Sequence, residues 1–153
     1  MKSLELKVPP VAVFSANFSL MWLVSLMTPD LKFCFPGRIL AAGFIVVAGS
    51  MAAIWGIAAF LRAKTTVNPL NPNAASSLVV GGVYKITRNP MYLGLLSLLI
   101  GWALFLANPL TLVLIVAFVF YMNRFQIIPE ERSLEAQFGG KFQAYKASVR
   151  RWL

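Results

Sequence analysis

The sequence predicts an all-α, polytopic membrane protein with about four transmembrane helices. Of its 153 residues, 59% are hydrophobic and only 12% are charged, whereas about a quarter of the residues in a soluble domain are charged. Uncharged stretches of about 20 residues, the length that crosses the hydrocarbon core of a bilayer, recur along the chain. We therefore expect one integral membrane domain over residues 1–153.

The first two predicted spans are residues 8–27 and 39–61, neither of which contains a charged side chain. The first span resembles a secretion signal, but no small-residue cleavage site precedes the polar turn after Met27, so we expect it to be part of the fold. Small residues also recur on one face of the second span and in the third, which predicts close helix packing. They are Ala42, Gly49, Ala53 and Gly56, with Gly94 and Gly101.

A helical hairpin is predicted for the third and fourth spans. Residues 89–123 carry no charge over 35 positions, which is too long for one helix. Asn108-Pro109 is a turn signal inside this stretch. We predict spans over 90–107 and 110–128, with Arg124 near the cytoplasmic end of the second, where its side chain can reach the headgroups.

The distribution of basic residues predicts that both termini are cytoplasmic, in the inner (plasma) membrane of a prokaryote. With that orientation only Lys32 and Arg38 lie outside, and the remaining twelve of the fourteen basic residues lie inside, as positively charged cytoplasmic loops require. The net charge of +9 is thus explained by topology. Because no basic stripe lies on a soluble module, we expect no nucleic-acid partner.

The composition also argues against a metal site. The chain has no histidine and one cysteine, Cys34. Zinc, haem and non-haem iron sites commonly need these ligands, so no metal is predicted, and a lone thiol forms no internal disulfide.

Two predicted cytoplasmic segments remain for chemistry, namely the loop 62–89 and the C-terminal residues 129–153. The loop is rich in Asn, Pro, Gly and Ser, so it leaves backbone groups free to meet a polar ligand, although an ordinary connecting loop would have the same composition. In the C-terminal segment, apolar residues at helical spacing, interrupted at Gly139-Gly140, predict two short amphipathic helices on the inner leaflet.

A pair of acids begins the C-terminal segment. Glu130 and Glu131 follow Pro129, and acids at a helix start are explained by the helix dipole alone. Alternatively, carboxylates directly after a membrane span need a cationic partner. Arg88, between Tyr84 and Tyr92, is a candidate, and the whole set would suit a zwitterionic ligand that carries a carboxylate and a positive centre. The spacing does not name that ligand.

These segments resemble the membrane methyltransferase superfamily that includes isoprenylcysteine carboxyl methyltransferases and phosphatidylethanolamine N-methyltransferases. The resemblance runs from about Thr65 to Val149, and its motifs are specific only in combination. They are Thr-Thr-Val-Asn-Pro at 65–69, Leu-Val at 78–79 with Gly82 and Tyr84, Arg-Asn-Pro-Met-Tyr-Leu-Gly at 88–94, Glu130-Glu131 with Leu134, and Phe138-Gly139 with Tyr145.

The resemblance implies S-adenosylmethionine as the cofactor and S-adenosylhomocysteine as its product. Carried over by position, the cofactor-binding residues are Val80, Gly82, Tyr84, Arg88, Asn89, Pro90, Tyr92, Leu93, Glu130 and Glu131. Of these, the catalytic residues are Arg88, Tyr92, Glu130 and Glu131. Arg88 suits the methionine carboxylate, a glutamate suits the ammonium or the ribose hydroxyls, and tyrosine faces attract a sulfonium.

The sequence departs from the superfamily pattern at three places. Asn89 stands where many relatives have histidine, Phe142 stands where tyrosine is frequent, and Ser148 stands where the prenylcysteine enzymes tend to have a basic residue. An asparagine side chain hydrogen-bonds but moves no proton at neutral pH. These departures bear on the substrate more than on the cofactor.

The predicted activity is methyl transfer to a lipophilic acceptor at the cytoplasmic interface. The acceptor is a membrane lipid or a lipophilic small molecule: an isoprenylcysteine-like carboxylate, a phospholipid amine or a small hydrophobic metabolite. Arg124 and Arg150 are the acceptor-side candidates. Two alternatives remain, an NADPH-dependent membrane reductase of the sterol reductase type and a non-catalytic lipid-binding membrane protein. The oligomeric state is open.

Overall fold

The computed structural model describes residues 5–64, 70 and 76–153. These residues form no strand, which confirms the all-α prediction. A π-helical segment, Met122–Ile127, joins the fourth and fifth helices, and short 3-10 turns lie at Pro29–Leu31 and Gly82–Lys85. The α-helices are α1 (Pro10–Met27), α2 (Arg38–Arg62), α3 (Pro90–Leu106), α4 (Thr111–Tyr121), α5 (Ile128–Phe138) and α6 (Gly140–Ser148).

Three helical stretches are long and apolar enough to cross a membrane. They are α1, α2 and the continuous run Thr111–Phe138, while α3 is equally apolar but has 17 residues. Large apolar side chains point outward from these helices, among them Leu40, Phe44 and Phe120, which are 74–81% exposed. A water-soluble protein rarely exposes so large a contiguous apolar surface. This surface therefore suits contact with lipid.

The tightest helix contact joins α2 to α3 through their small residues. A Cβ placed on Gly94 would lie 2.6 Å from Cβ of Ala53, and one placed on Gly101 would lie 2.4 Å from Cγ2 of Val46. Side chains of any size at these positions would push the helices apart. The predicted packing role of these small residues is therefore confirmed.

The predicted turn between α3 and α4 is present, and side-chain hydrogen bonds hold it. Asn108 is buried and donates from Nδ2 to Oγ1 of Thr28, 2.8 Å away, while its Oδ1 accepts the Leu110 N–H at 3.0 Å. Ala107 takes a left-handed conformation with φ of 51°. The hairpin is thereby tied to the end of α1.

A helix was predicted to begin at Pro129, and α5 begins one residue earlier, at Ile128. It is not separate, however, because the π-helical segment joins it to α4 in one helical run from Thr111 to Phe138. Proline has no N–H to donate, so it leaves a carbonyl one turn earlier without its usual partner. That carbonyl belongs to Phe125, and the Leu6 N–H donates to it at 3.0 Å. The π-helical segment and this outside donor explain why the proline does not end the helix.

The predicted break at Gly139-Gly140 is present. Gly139 has φ of 53° and separates α5 from α6. After α6 the chain is extended at Val149 and runs back under α3, where the Arg88 N–H donates to the Arg150 carbonyl at 3.0 Å. This return brings the last residues of the chain to the start of α3.

Candidate functional site

A cavity lies at one end of the helices, between the start of α3, the 3-10 turn Gly82–Lys85, α5 and α6. Seven of the ten residues predicted to bind the cofactor line it: Tyr84, Arg88, Asn89, Pro90, Tyr92, Glu130 and Glu131. Residues separated by about forty positions therefore meet in one place. The predicted motif at 65–69 lies outside the described residues.

Arg88 and Glu131 form a buried ion pair at the cavity wall. Nη2 of Arg88 lies 3.0 Å from Oε1 of Glu131, and both side chains are about 10% exposed. Nε and Nη1 of Arg88 are also buried, yet they have no hydrogen-bond partner among the described residues. Buried donors of a charged group are costly to leave unpaired, so these two nitrogens are the donors available to a ligand.

Arg151 forms a second ion pair with the same carboxylate. Its Nε donates to Oε1 of Glu131 at 3.0 Å, and its Nη2 donates to Oε2 at 2.7 Å. Glu131 is thus fully engaged by two arginines. Of the two glutamates, Glu130 is the one left to face a ligand.

Glu130 is held by two side-chain donors. Both the Tyr92 hydroxyl and Nε2 of Gln126 donate to its Oε1, the latter at 2.6 Å. Gln126 is 2% exposed and belongs to the π-helical segment. These two donors hold the Glu130 carboxylate at the cavity wall, and no sequence pattern indicated a role for Gln126.

Tyr84 and Tyr145, which also line the cavity, have neutral phenol side chains. Burial raises the pKa of Tyr84 well above its usual value and raises the pKa of Tyr145 to about 12. The Tyr145 hydroxyl donates to the Tyr84 carbonyl at 2.8 Å, whereas the buried Tyr84 hydroxyl has no partner among the described residues. Tyr84 therefore offers a second unpaired polar group to the cavity.

Three predicted cofactor residues do not line this cavity. Val80 is 42% exposed, and Gly82 lies on a neighbouring groove formed with the end of α2. Leu93 follows Tyr92 on α3 but is not among the residues that line the cavity. Contact with the cofactor stays a prediction for these three residues.

The two acceptor-side candidates also lie elsewhere. Nη1 of Arg124 is 2.8 Å from Oε1 of Glu5, and its guanidinium lies over the ring of Phe125. Arg150 is exposed and contributes its carbonyl to the Arg88 N–H. Neither side chain lines the cavity, so a role toward the acceptor stays a prediction for both.

The apolar walls of the cavity were not named among the predicted site residues, although Leu78, Val79, Met91, Leu134 and Tyr145 belong to the motifs of the resemblance. Apart from Ser77, they are aromatic and aliphatic side chains at positions that also belong to the packing of α2, α5 and α6, so their pattern indicates core. They are Phe60, Leu78, Val79, Met91, Ile127, Leu134, Phe142 and Tyr145.

The Asn89 side chain is engaged in a hydrogen bond with the C-terminal segment of the chain. Its Nδ2 donates to the Arg151 carbonyl at 2.9 Å, and its N–H donates to Oγ1 of Thr87 at 3.2 Å. Where many relatives of the superfamily have histidine, this chain uses the side chain to hold its own C-terminal segment.

Comparison with known proteins places this arrangement in a family. An uncharacterized protein of Haemophilus influenzae (strain ATCC 51907 / DSM 11121 / KW20 / Rd) is 46% identical over 63 residues, which are 41% of this chain and the whole of that protein. No solved structure matches the chain significantly. The profile of the phospholipid methyltransferase family matches residues 37–141.

The matched residues run from the start of α2 to the start of α6. They include the unpaired donors of Arg88, the held carboxylate of Glu130 and most of the apolar wall. A match of this extent shows that the chain belongs to the phospholipid methyltransferase family, whose members are membrane methyltransferases.

Proposed function

We propose that this protein transfers a methyl group from S-adenosylmethionine to a lipophilic acceptor at the cytoplasmic interface of the inner membrane of a prokaryote. The observation that carries the proposal is Arg88, which lines a cavity together with Glu130 and has two buried nitrogens without a partner among the described residues. A carboxylate and a cationic centre on one ligand would meet both groups. The amino-acid end of S-adenosylmethionine has that pair of charges.

The residues present fit this cofactor in three ways. Arg88 would bind the carboxylate through one of its two unpaired nitrogens, Nε or Nη1, in a charge-assisted hydrogen bond. Glu130 would receive the ammonium or the ribose hydroxyls. The aromatic rings of Tyr84, Phe60 and Phe142 would cover the apolar parts and the sulfonium.

The enclosed volume suits part of the cofactor. It is about 120 Å³, below the roughly 300–1,000 Å³ of pockets that enclose a drug-sized ligand. The amino-acid end would enter this volume, and the nucleoside would extend beyond it.

Methyl transfer from a sulfonium depends more on positioning the reactants than on acid–base catalysis. When bound, the sulfonium supplies an activated methyl group for an in-line displacement. The chain holds the reactants on one line and excludes water with its apolar walls. A carboxylate acceptor would need no base, whereas an amine acceptor must be neutral when it attacks the methyl group.

The acceptor would arrive from the lipid. Large exposed apolar side chains on α2, such as Trp55 and Leu61, continue the lipid-facing surface to the level of the cavity. An amphiphilic acceptor would thus reach the site without crossing water. The candidates remain an isoprenylcysteine-like carboxylate, a phospholipid amine and a small hydrophobic molecule.

The test is a transfer assay on the detergent-solubilised protein. It is incubated with S-adenosylmethionine labelled on the methyl group and a total lipid extract, and the labelled lipid and S-adenosylhomocysteine are measured. We expect label in an organic-soluble product, and about tenfold less label with the Arg88→Ala variant at limiting cofactor. Binding of NADPH in place of S-adenosylmethionine would support a reductase, and cofactor binding without any transfer would support a non-catalytic protein. Either result would overturn the proposal.

A further inference from the structure

The Glu131 carboxylate lies between two arginines, which make different numbers of contacts with it. Arg151 engages both oxygens of Glu131, through Nε at 3.0 Å and Nη2 at 2.7 Å. Arg88 engages only Oε1, through Nη2 at 3.0 Å. The paired, planar contact that an arginine makes best with a carboxylate therefore belongs to Arg151.

This inequality explains why Arg88 keeps unpaired donors. A carboxylate offers one favourable paired contact to one guanidinium, and that contact is taken. Nε and Nη1 of Arg88 are left buried and without a partner among the described residues. If Arg151 were absent, Glu131 would be free to make the paired contact with Arg88 instead, through Nη2 and one of those two donors.

The C-terminal segment is held firmly enough for this role. The Arg151 carbonyl accepts hydrogen bonds from Nδ2 of Asn89 at 2.9 Å and from Oγ1 of Thr87 at 3.3 Å. The next residue, Trp152, donates from Nε1 to Oδ1 of Asn123 at 3.1 Å. The backbone on both sides of the Arg151 side chain is thus fixed against α3 and the π-helical segment.

We propose that Arg151 is a positioning residue: by occupying Glu131, it keeps Arg88 available to bind the carboxylate of the cofactor. Arg151 does not line the cavity and acts only through Glu131 and Arg88. The inference rests on the proposed function, because it names how the cofactor's carboxylate is recognised. It predicts that loss of Arg151 weakens the binding of ligands that carry this carboxylate and leaves the binding of ligands without it unchanged.

The experiment compares two ligands by calorimetry on the purified full chain. One is S-adenosylhomocysteine, and the other is its decarboxylated analogue, which keeps the amino group and the nucleoside. Arg151→Ala should weaken S-adenosylhomocysteine about tenfold, since hydrogen bonds to charged groups are the strong ones, and should leave the analogue unchanged. Arg151→Lys, which keeps the charge but not the planar fork, should show a smaller loss that is again confined to S-adenosylhomocysteine.

Arg150→Ala is the matched control, because it removes the same charge one residue earlier from an exposed side chain. It should change neither affinity. Equal weakening of both ligands by Arg151→Ala and Arg151→Lys would show a merely structural role, and unchanged affinities would show no role, so each result overturns the inference while leaving the proposed function intact. A wild-type protein that binds neither ligand would instead overturn the proposed function and this inference with it.

Discussion

Ser97 lies directly against Gly49, so that a Cβ built on Gly49 would stand 2.2 Å from the Ser97 Cβ. Since α3 begins with the residues of the cavity, this contact between α2 and α3 sets where the cavity is. Gly49→Ala should therefore destabilise the protein by about 1–3 kcal/mol, as overpacking does, and lower its melting temperature in detergent. Gly43 lies on the same helix with nothing near its Cβ position, and Gly43→Ala should not destabilise. Equal effects of the two variants would contradict the packing role of Gly49.

Arg88→Ala should weaken binding of S-adenosylhomocysteine by about tenfold or more, because two charged donors are removed. Isothermal titration calorimetry measures the change. Lys85→Ala is the control, since Lys85 is a basic residue on the neighbouring turn that is exposed and outside the cavity. A tenfold loss in the control as well would show that overall charge, and not the Arg88 donors, determines affinity.

Tyr92→Phe removes one of the two donors that fix Glu130 and keeps the ring that fills the space. We expect a loss of about three- to tenfold in affinity or turnover, corresponding to one hydrogen bond, and little change in melting temperature. The same substitution at Tyr121, whose hydroxyl makes no contact with the cavity, should have no effect on either. Normal binding and turnover in Tyr92→Phe would show that Gln126 alone holds the carboxylate.

The contact between Glu5 and Arg124 predicts a pH-dependent attachment of the N-terminal segment. The hydrogen bond from Arg124 lowers the pKa of Glu5, so the contact stabilises the folded form above the usual pKa of a glutamate and is lost as the pH falls through the lowered value. Limited proteolysis of this segment should be faster for Glu5→Gln than for wild type at pH 7. The difference should vanish in strong acid, and a difference that persists there would rule out titration of Glu5 as its cause.

Local patterns predicted the helices and the residues that begin them. The turn at Asn108, the small-residue faces of α2 and α3 and the break at Gly139 follow from rules that act over a few residues, and all are present. Arg88 and the pair Glu130-Glu131 were predicted to meet because carboxylates directly after a membrane span need a cationic partner. The turn, the small-residue faces and the break are decided close to where they stand in the sequence, whereas the meeting of Arg88 with the glutamates joins distant parts of it.

Long-range contacts were not predictable in the same way. The chain returns from α6 to α3 across more than sixty residues, and no periodicity signals that return. The basic pair at the C-terminus illustrates the difficulty, since neighbouring side chains of an extended chain point to opposite sides. The sequence favoured Arg150, whereas the structure directs Arg151 to Glu131 and leaves Arg150 exposed. The π-helical segment was missed as well, because a proline usually ends a helix.

The uninterrupted helix from Thr111 to Phe138 has a further consequence for how the protein meets its surroundings. Its 28 residues rise roughly 42 Å at the α-helical pitch, beyond the hydrocarbon thickness of about 30 Å. Glu130 lies near the C-terminal end of this helix and not in a loop, so helix length sets the distance of its carboxylate from the bilayer centre. Lipids with longer or shorter acyl chains would place the membrane interface at a different position along the helix. Turnover should therefore vary with bilayer thickness.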